Sequence, residues 1–169
     1  MSYRTRFYEL SKYRNETHPV VSLYVNVVPP WQFSSRVNSL VRSQIKELRE
    51  KKPFGDEENG KLEKLLKNIE EELINREGGF EDTKLLALFA DTEGYREESE
   101  LPYTHPDVAT VSPTPYVRPL MVLQQQFLLY GVVVVDSFKA RMFSYGGGKL
   151  QEHSDIFSIE EVRGARDEA

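Results

Sequence analysis

Cysteine is absent from the 169-residue sequence. The chain therefore has no disulfide, no thiol nucleophile and no thiolate ligand for a metal. Its three histidines, His18, His105 and His153, lie far apart along the chain, so their spacing does not indicate a zinc site. We expect no metal and no other cofactor.

Long apolar runs are also missing. No stretch approaches the roughly 20 residues that a helix needs to span a bilayer, and the amino-terminal segment MSYRTRFYELSKYR lacks the apolar core of a secretion signal. We therefore expect a cytoplasmic protein that makes no membrane contacts.

Nucleotide-binding motifs are missing as well, since neither GxGxxG nor a P-loop occurs. One carboxylate, Asp136, follows an apolar segment and suits either a metal-binding nuclease site or the cap of a turn. The cap is the favoured interpretation, because one carboxylate does not hold two metal ions. Glutamate pairs at 71–72 and 97–98 fit solvated surfaces. We predict no catalytic residues and no enzymatic activity.

The net charge of −5 is unevenly divided along the chain. Residues 1–54 contain ten Lys or Arg against four Asp or Glu, whereas the remainder contains twelve against twenty-three. A basic segment of this kind is typical of contact with nucleic acid, and solvated helix faces explain it equally well. Both interpretations stay open on composition alone.

The first half of the chain has strong apolar periodicity. Residues 20–28, VVSLYVNVV, follow a short predicted helix at 4–14 and predict a central strand because both of their faces are apolar. Two amphipathic helices come next, and a break at 52–55 separates them. The first carries an apolar stripe and the second covers 56–75. So short a connection predicts an antiparallel helical hairpin lying across a sheet.

Three shorter strands and a helix are predicted next. Residues 85–90, LLALFA, form the clearest strand, and a polar turn at 91–99 follows it. Weaker strands are predicted at 100–103 and 107–111. Apolar residues at helical spacing then predict a helix over 118–129.

The last part of the chain predicts a β-meander. Four consecutive valines at 132–135 favour a strand buried on both faces. A second strand begins at 140, three glycines at 146–148 turn the chain, and 149–153 form a third strand. The whole order predicts an α+β protein with a mostly antiparallel sheet, covered by the helical hairpin and flanking helices and followed by this meander.

Three stretches of sequence resemble a known family. They are VVSLYVNVVPP at 20–30 followed by Ser-Arg-Val at 35–37, LLALFAD at 85–91, and PYVRPLMVL at 115–123 with YGVVVVDSFKARMF at 130–143. Their order is similar to that in the archaeo-eukaryotic class I peptide chain release factors, and their bacterial branch in particular. The resemblance extends over residues 4–153.

The resemblance implies a division of the chain into domains. Residues 1–129 would be an amino-terminal α+β domain with a four-stranded sheet. Residues 130–157 would be the first strands of a ribonuclease-H-like middle domain, and 158–169 a disordered tail. Because the middle domain barely starts, we expect the chain to be a fragment of a longer protein.

The same resemblance implies a role in translation through binding to the ribosome. Ribosomal RNA would be contacted by basic residues of the first hairpin helix and its exit: Arg36, Arg42, Lys46, Arg49, Lys51 and Lys52. The connection corresponding to the family's stop-codon-reading loop contains Phe54, Gly55, Asp56, Glu57, Glu58 and Asn59. It lacks the family's Asn-Ile-Lys-Ser motif, and carboxylates repel RNA phosphate.

Two further family motifs are absent. The second decoding element falls near Tyr116, where the sequence has no cysteine, and the glycines at 146–148 are not followed by the glutamine of the catalytic Gly-Gly-Gln motif. The expectation is a ribosome-binding portion that does not catalyse hydrolysis and does not read stop codons in the usual way.

An alternative function is a protein-interaction or oligomerisation domain with the same fold and no role with RNA. Its assembly element would be the hairpin at 131–145, whose edge can pair with another chain. Several aromatic residues also leave two interpretations. Tyr3, Phe7, Tyr8 and Tyr13 either stack on RNA bases or pack in the core. Trp31 either contacts a partner or covers the end of the core.

Overall fold

Strand β1 (Val20–Asn26) runs through the middle of a four-stranded antiparallel sheet. It pairs with β2 (Leu85–Ala90) on one side and β4 (Val108–Ser112) on the other. Strand β3 (Arg96–Leu101) pairs with β2, so the order is β3-β2-β1-β4. All residues of β1 and β2 are buried. The predicted central strand and the α+β class are confirmed.

The computed structural model describes residues 3–76, 79–80, 82–126, 130–135, 140–146 and 149–153. Contacts between residues divide the chain into two units, residues 1–123 and residues 124–169. Several predictions lie outside the described residues. These are the roles of Asp136, the end of the helix at 127–129, most of the glycine turn and the tail.

Helices α2 (Phe33–Lys51) and α3 (Asp56–Ile74) cover one face of the sheet. Alternate residues of β1, such as Leu23, point to this face, where they join one apolar core with Val41 of α2 and Leu66 of α3. The packing confirms the helical hairpin and its position across the sheet. Because the apolar stripe of α2 faces inward, its opposite side is left to solvent.

The other face of the sheet is closed by the segment that leads into α4 (Arg118–Gln126). The Tyr24 hydroxyl donates a hydrogen bond of 2.6 Å to the carbonyl of Tyr116, and the Tyr116 amide donates one of 3.0 Å to Ser22 Oγ. Tyr24 also packs edge-to-face on Phe89, with ring centroids 5.8 Å apart. Burial raises the pKa of the Tyr24 phenol.

Helix α1 (Tyr3–Lys12) ends two residues before the predicted limit, and it buries Phe7. Tyr13 stacks on Tyr95 with centroids 4.2 Å apart, and its hydroxyl donates to Asp91. Phe7 and Tyr13 therefore pack within the protein rather than stack on RNA, whereas Tyr8 is exposed.

Strand β3 corrects the predicted polar turn at 91–99. It begins at Arg96, because charged side chains at this sheet edge are paired across elements. Arg96 bonds Glu72 of α3 at 2.7 Å, and Arg76 bonds Glu98 at 3.2 Å. Local sequence favours a turn here, and these tertiary ion pairs override it. Strand β4 starts and ends one residue later than predicted.

The second unit contains a three-stranded antiparallel sheet, β5 (Tyr130–Val135), β6 (Ala140–Gly146) and β7 (Lys149–His153), in that order. The predicted strands are present, but the expected burial of residues 132–135 is wrong. Val133 is 58% exposed and Val135 is 67% exposed. The described residues of this unit form a single sheet with β5 at its edge, so no second layer within the unit covers the faces from which the valine side chains project.

Candidate nucleic-acid interface

Helix α2 positions most of the basic residues that the sequence singled out. Its buried side chains include Phe33, Val37 and Leu48, which anchor one face against the sheet. Residues three or four positions apart share a face of a helix. The core contacts therefore fix which side of α2 faces the solvent, and the charged residues on that side stay exposed.

Four of the six basic residues are held by carboxylates. Arg36 donates to Asp107 at 3.2 Å, and Asp107 also accepts from the Asn26 amide at the end of β1. Arg36 therefore joins α2 to the sheet. Arg49 donates to both oxygens of Glu63 at 3.1 and 2.8 Å, which lowers the pKa of that carboxyl.

The two lysines at the end of α2 are also paired. Lys51 Nζ lies 2.6 Å from a carboxylate oxygen of Glu47, and Lys52 Nζ lies 2.7 Å from one of Asp56. Hydrogen bonds that the two lysines donate to these carboxylates raise the pKa of both lysines. A phosphate would have to compete with these carboxylates, so Lys51 and Lys52 are less available to RNA than a cation without such a partner, although each exposed pair is weak.

Arg42 and Lys46 differ from the other four. Arg42 is exposed, and within the described part of the chain no carboxylate forms an ion pair with it. Lys46 Nζ lies 3.7 Å from Glu50, too far for a hydrogen bond, and both side chains are well exposed. These two cations are the ones available to an incoming anion.

Exposed serines extend this pair along the helix. Ser35, Ser39, Arg42 and Lys46 are exposed at successive spacings of four, three and four residues, and we name them the α2 stripe. Residues 17–46 contain no Asp or Glu. The absence of Asp and Glu from these thirty residues is a sequence signal that distinguishes this part of α2 from its carboxyl-terminal end, which contains Glu47 and Glu50.

The structure changes the extent of the predicted decoding-loop equivalent. The loop covers only residues 52–55, with Gly55 at a φ of +81°, where glycine is favoured. Asp56, Glu57, Glu58 and Asn59 form the first turn of α3. Phe54 is partly buried against the core. The six residues of the decoding-loop equivalent are therefore divided between the loop and the start of α3, where the apolar pattern predicts the second helix to begin.

Two residues of that first turn are buried. Glu58 accepts a hydrogen bond from Thr92, and His18 Nδ1 lies 3.3 Å from the same carboxylate oxygen. These contacts tie α3 to the approach of β1 and to the turn after β2. Asn59 is 5% exposed, and no group among the described residues bonds its side-chain oxygen or nitrogen. Neither side chain is presented on the surface.

Tyr116, which lies near the position of the family's second decoding element, has contacts that serve the fold. Both backbone contacts of Tyr116 are structural, as described above, although its ring is partly exposed. Over the described residues, no group of three or more His, Asp or Glu is arranged to hold a metal ion. None of the helices in that part of the chain combines the length and the apolar character needed to cross a membrane.

Two solved structures with a similar fold come from archaea. The crystal structure of the archaeal translation termination factor aRF1 matches over 90% of this chain and 43% of its own, at 18% identity and a TM-score of 0.55. A structure described as an archaeal protein matches over 89% and 43%, at 18% identity and a TM-score of 0.53. No protein-family profile matches the sequence, and no curated protein matches it.

The chain spans less than half the length of both proteins. A likeness at this level of identity shows a shared fold. It supports the resemblance found in the sequence as a distant, release-factor-like one.

Proposed function

We propose that this chain is the amino-terminal portion of a release-factor-like translation protein and that it binds the ribosome through the α2 stripe. The fold likeness supports the class of protein. The observation that carries the binding site is the stripe itself, in which two serines share one exposed helix face with two cations that no carboxylate holds by a hydrogen bond among the described residues.

The chemistry of the stripe suits an RNA backbone. Arg42 presents a guanidinium fork that bonds phosphate oxygens in pairs, and Lys46 adds a point charge one turn further. Ser39 carries a hydroxyl of the kind that commonly donates to phosphate and sugar oxygens. The Ser35 hydroxyl donates to the Gln32 carbonyl, so towards RNA it can only accept. Contacts of this type position a protein on RNA without reading its sequence.

Stop-codon reading in the usual way is not part of this proposal. The start of α3 bears the exposed carboxylates of Asp56 and Glu57, next to which RNA phosphate is repelled. We also propose that the chain by itself catalyses no bond cleavage, in line with its lack of a Gly-Gly-Gln sequence. Its contribution would be binding.

Co-sedimentation with ribosomes at low salt tests the site. The variant Arg42→Gln/Lys46→Gln should lose most of its pelleting, because it removes both available cations. The matched variant Lys51→Gln/Lys52→Gln removes the same charge from carboxylate-paired lysines and should pellet nearly as the parent does. Equal loss in both variants would contradict the site, and a parent chain that stays in the supernatant would contradict the function.

Self-association is a second candidate function, favoured by the exposed valines of β5. An uncharged edge strand offers its backbone to a strand of another copy. This candidate predicts a mass that rises with concentration in sedimentation equilibrium and returns to that of a monomer in Val133→Lys. A monomer at all concentrations would exclude it.

A further inference from the structure

Trp31 is the only tryptophan of the chain, and its side chain is 81% exposed. It lies in a short 3-10 turn, Pro30–Gln32, that runs directly into α2. The neighbouring Phe33 is buried in the core. Phe33 therefore anchors the end of the turn in the core, while the Trp31 side chain remains exposed to solvent.

Trp31 lies four residues before Ser35, and we call Trp31 together with the α2 stripe the extended stripe. The exposed residues Trp31, Ser35, Ser39, Arg42 and Lys46 follow at spacings of four, four, three and four. The turn is hydrogen-bonded into the helix, since Ser35 Oγ donates to the Gln32 carbonyl at 2.9 Å. At a rise of about 1.5 Å per residue, the extended stripe is about 22 Å long.

We propose that the extended stripe binds single-stranded RNA, with an unpaired base stacked on Trp31 and phosphates on Arg42 and Lys46. This inference rests on the proposed function and names the form of RNA that the site takes. An open aromatic face beside a row of cations is how proteins hold unpaired strands, because every base has a face that can stack. Bases of a duplex are already stacked on one another and offer no free face.

Charge favours RNA as the occupant of this surface. Trp31 and the stripe lie within the carboxylate-free run 17–46. Two carboxylates from outside the run come near it in space, Asp107 at 3.2 Å from Arg36 and Glu50 at 3.7 Å from Lys46. Arg36, Arg42 and Lys46 outnumber them, so the surface keeps an excess of positive charge that attracts phosphate. A different use of Trp31 is contact with a protein. An apolar groove of about 240 Å³ lies nearby, lined by Val28, Phe33, Ile74 and others. The lining of that groove does not include Trp31.

Two titrations of the full chain test the proposal. A short oligouridylate should quench the fluorescence of Trp31, whereas an RNA duplex should leave it nearly unchanged. In an anisotropy assay with labelled oligouridylate, Trp31→Leu should weaken binding by about 5- to 150-fold, since one base stack contributes that much. Trp31→Phe should keep part of the affinity, because it keeps an aromatic face.

Tyr130→Leu is the control for loss of an exposed aromatic side chain elsewhere, and it should bind as the parent does. Unchanged binding by Trp31→Leu would overturn the proposal. The same result together with reduced self-association in sedimentation would assign Trp31 to protein contact and would also overturn it. Either outcome leaves the ribosome-pelleting test of Arg42 and Lys46 intact, so the two failures are distinguishable.

Discussion

The number of available cations on α2 sets how strongly salt weakens RNA binding. Each phosphate contact on a single strand releases counterions and contributes about −0.7 to the slope of log Kobs against log salt. The structure leaves Arg42 and Lys46 available and engages the other four basic residues with carboxylates. Two contacts give a slope of about −1.4, whereas six would give about −4.

These slopes separate the two cases by a wide margin. When salt rises from about 50 to about 200 mM, two contacts weaken binding about 7-fold and six contacts weaken it roughly 300-fold. Fluorescence anisotropy of labelled single-stranded RNA, titrated with the full chain over a series of salt concentrations, measures the slope directly.

A variant that removes two of the pairing carboxylates provides a second test of which cations are available. Glu47→Gln/Glu63→Gln removes the carboxylates that hold Lys51 and Arg49, so the number of available cations rises to four and the slope should steepen to about −2.8. Circular dichroism of the variant checks that the hairpin stays folded. A parent slope near −4, or no change of slope in the variant, would refute the assignment of available and engaged cations.

Two further predictions concern stability. Asn59→Leu should raise the free energy of unfolding in urea by about 1 to 3 kcal/mol, because it removes a buried amide that has no partner among the described residues; an unchanged or lower value would mean that the amide is bonded. Burial raises the folded-state pKa of Tyr24, so its contribution is complete below the ordinary phenol pKa of about 10 and is lost as pH rises toward the folded value. The parent should therefore lose more stability between about pH 8 and about pH 11 than Tyr24→Phe does, and equal losses in urea titrations would contradict this.

Much of the first unit was predictable because its elements are set by local apolar pattern. The unbroken apolar run of β1 identifies a central strand, and the helical stripes of α2 and α3 identify the hairpin. Both signals come from residues within one turn or one strand of each other, which is the range that periodicity reports.

The parts that sequence reasoning missed depend on distant partners. Arg36 meets Asp107 and Arg49 meets Glu63 only after the chain has folded, so composition could not show that these cations are engaged. Strand β3 was placed too late because its charged residues look like a turn until Glu72 and Arg76 are beside them. The exposure of β5 depends on whether another layer packs on the faces of its sheet, which four valines do not encode.

Site-specific cross-linking tests the central claim most directly, and the absence of native cysteine makes it simple. A photoreactive label on Ser39→Cys, in the middle of the α2 stripe, should cross-link to ribosomal RNA. The same label on Asn68→Cys, at an exposed position of α3, should not. Equal cross-linking from both positions, or none from residue 39, would contradict binding through the α2 stripe.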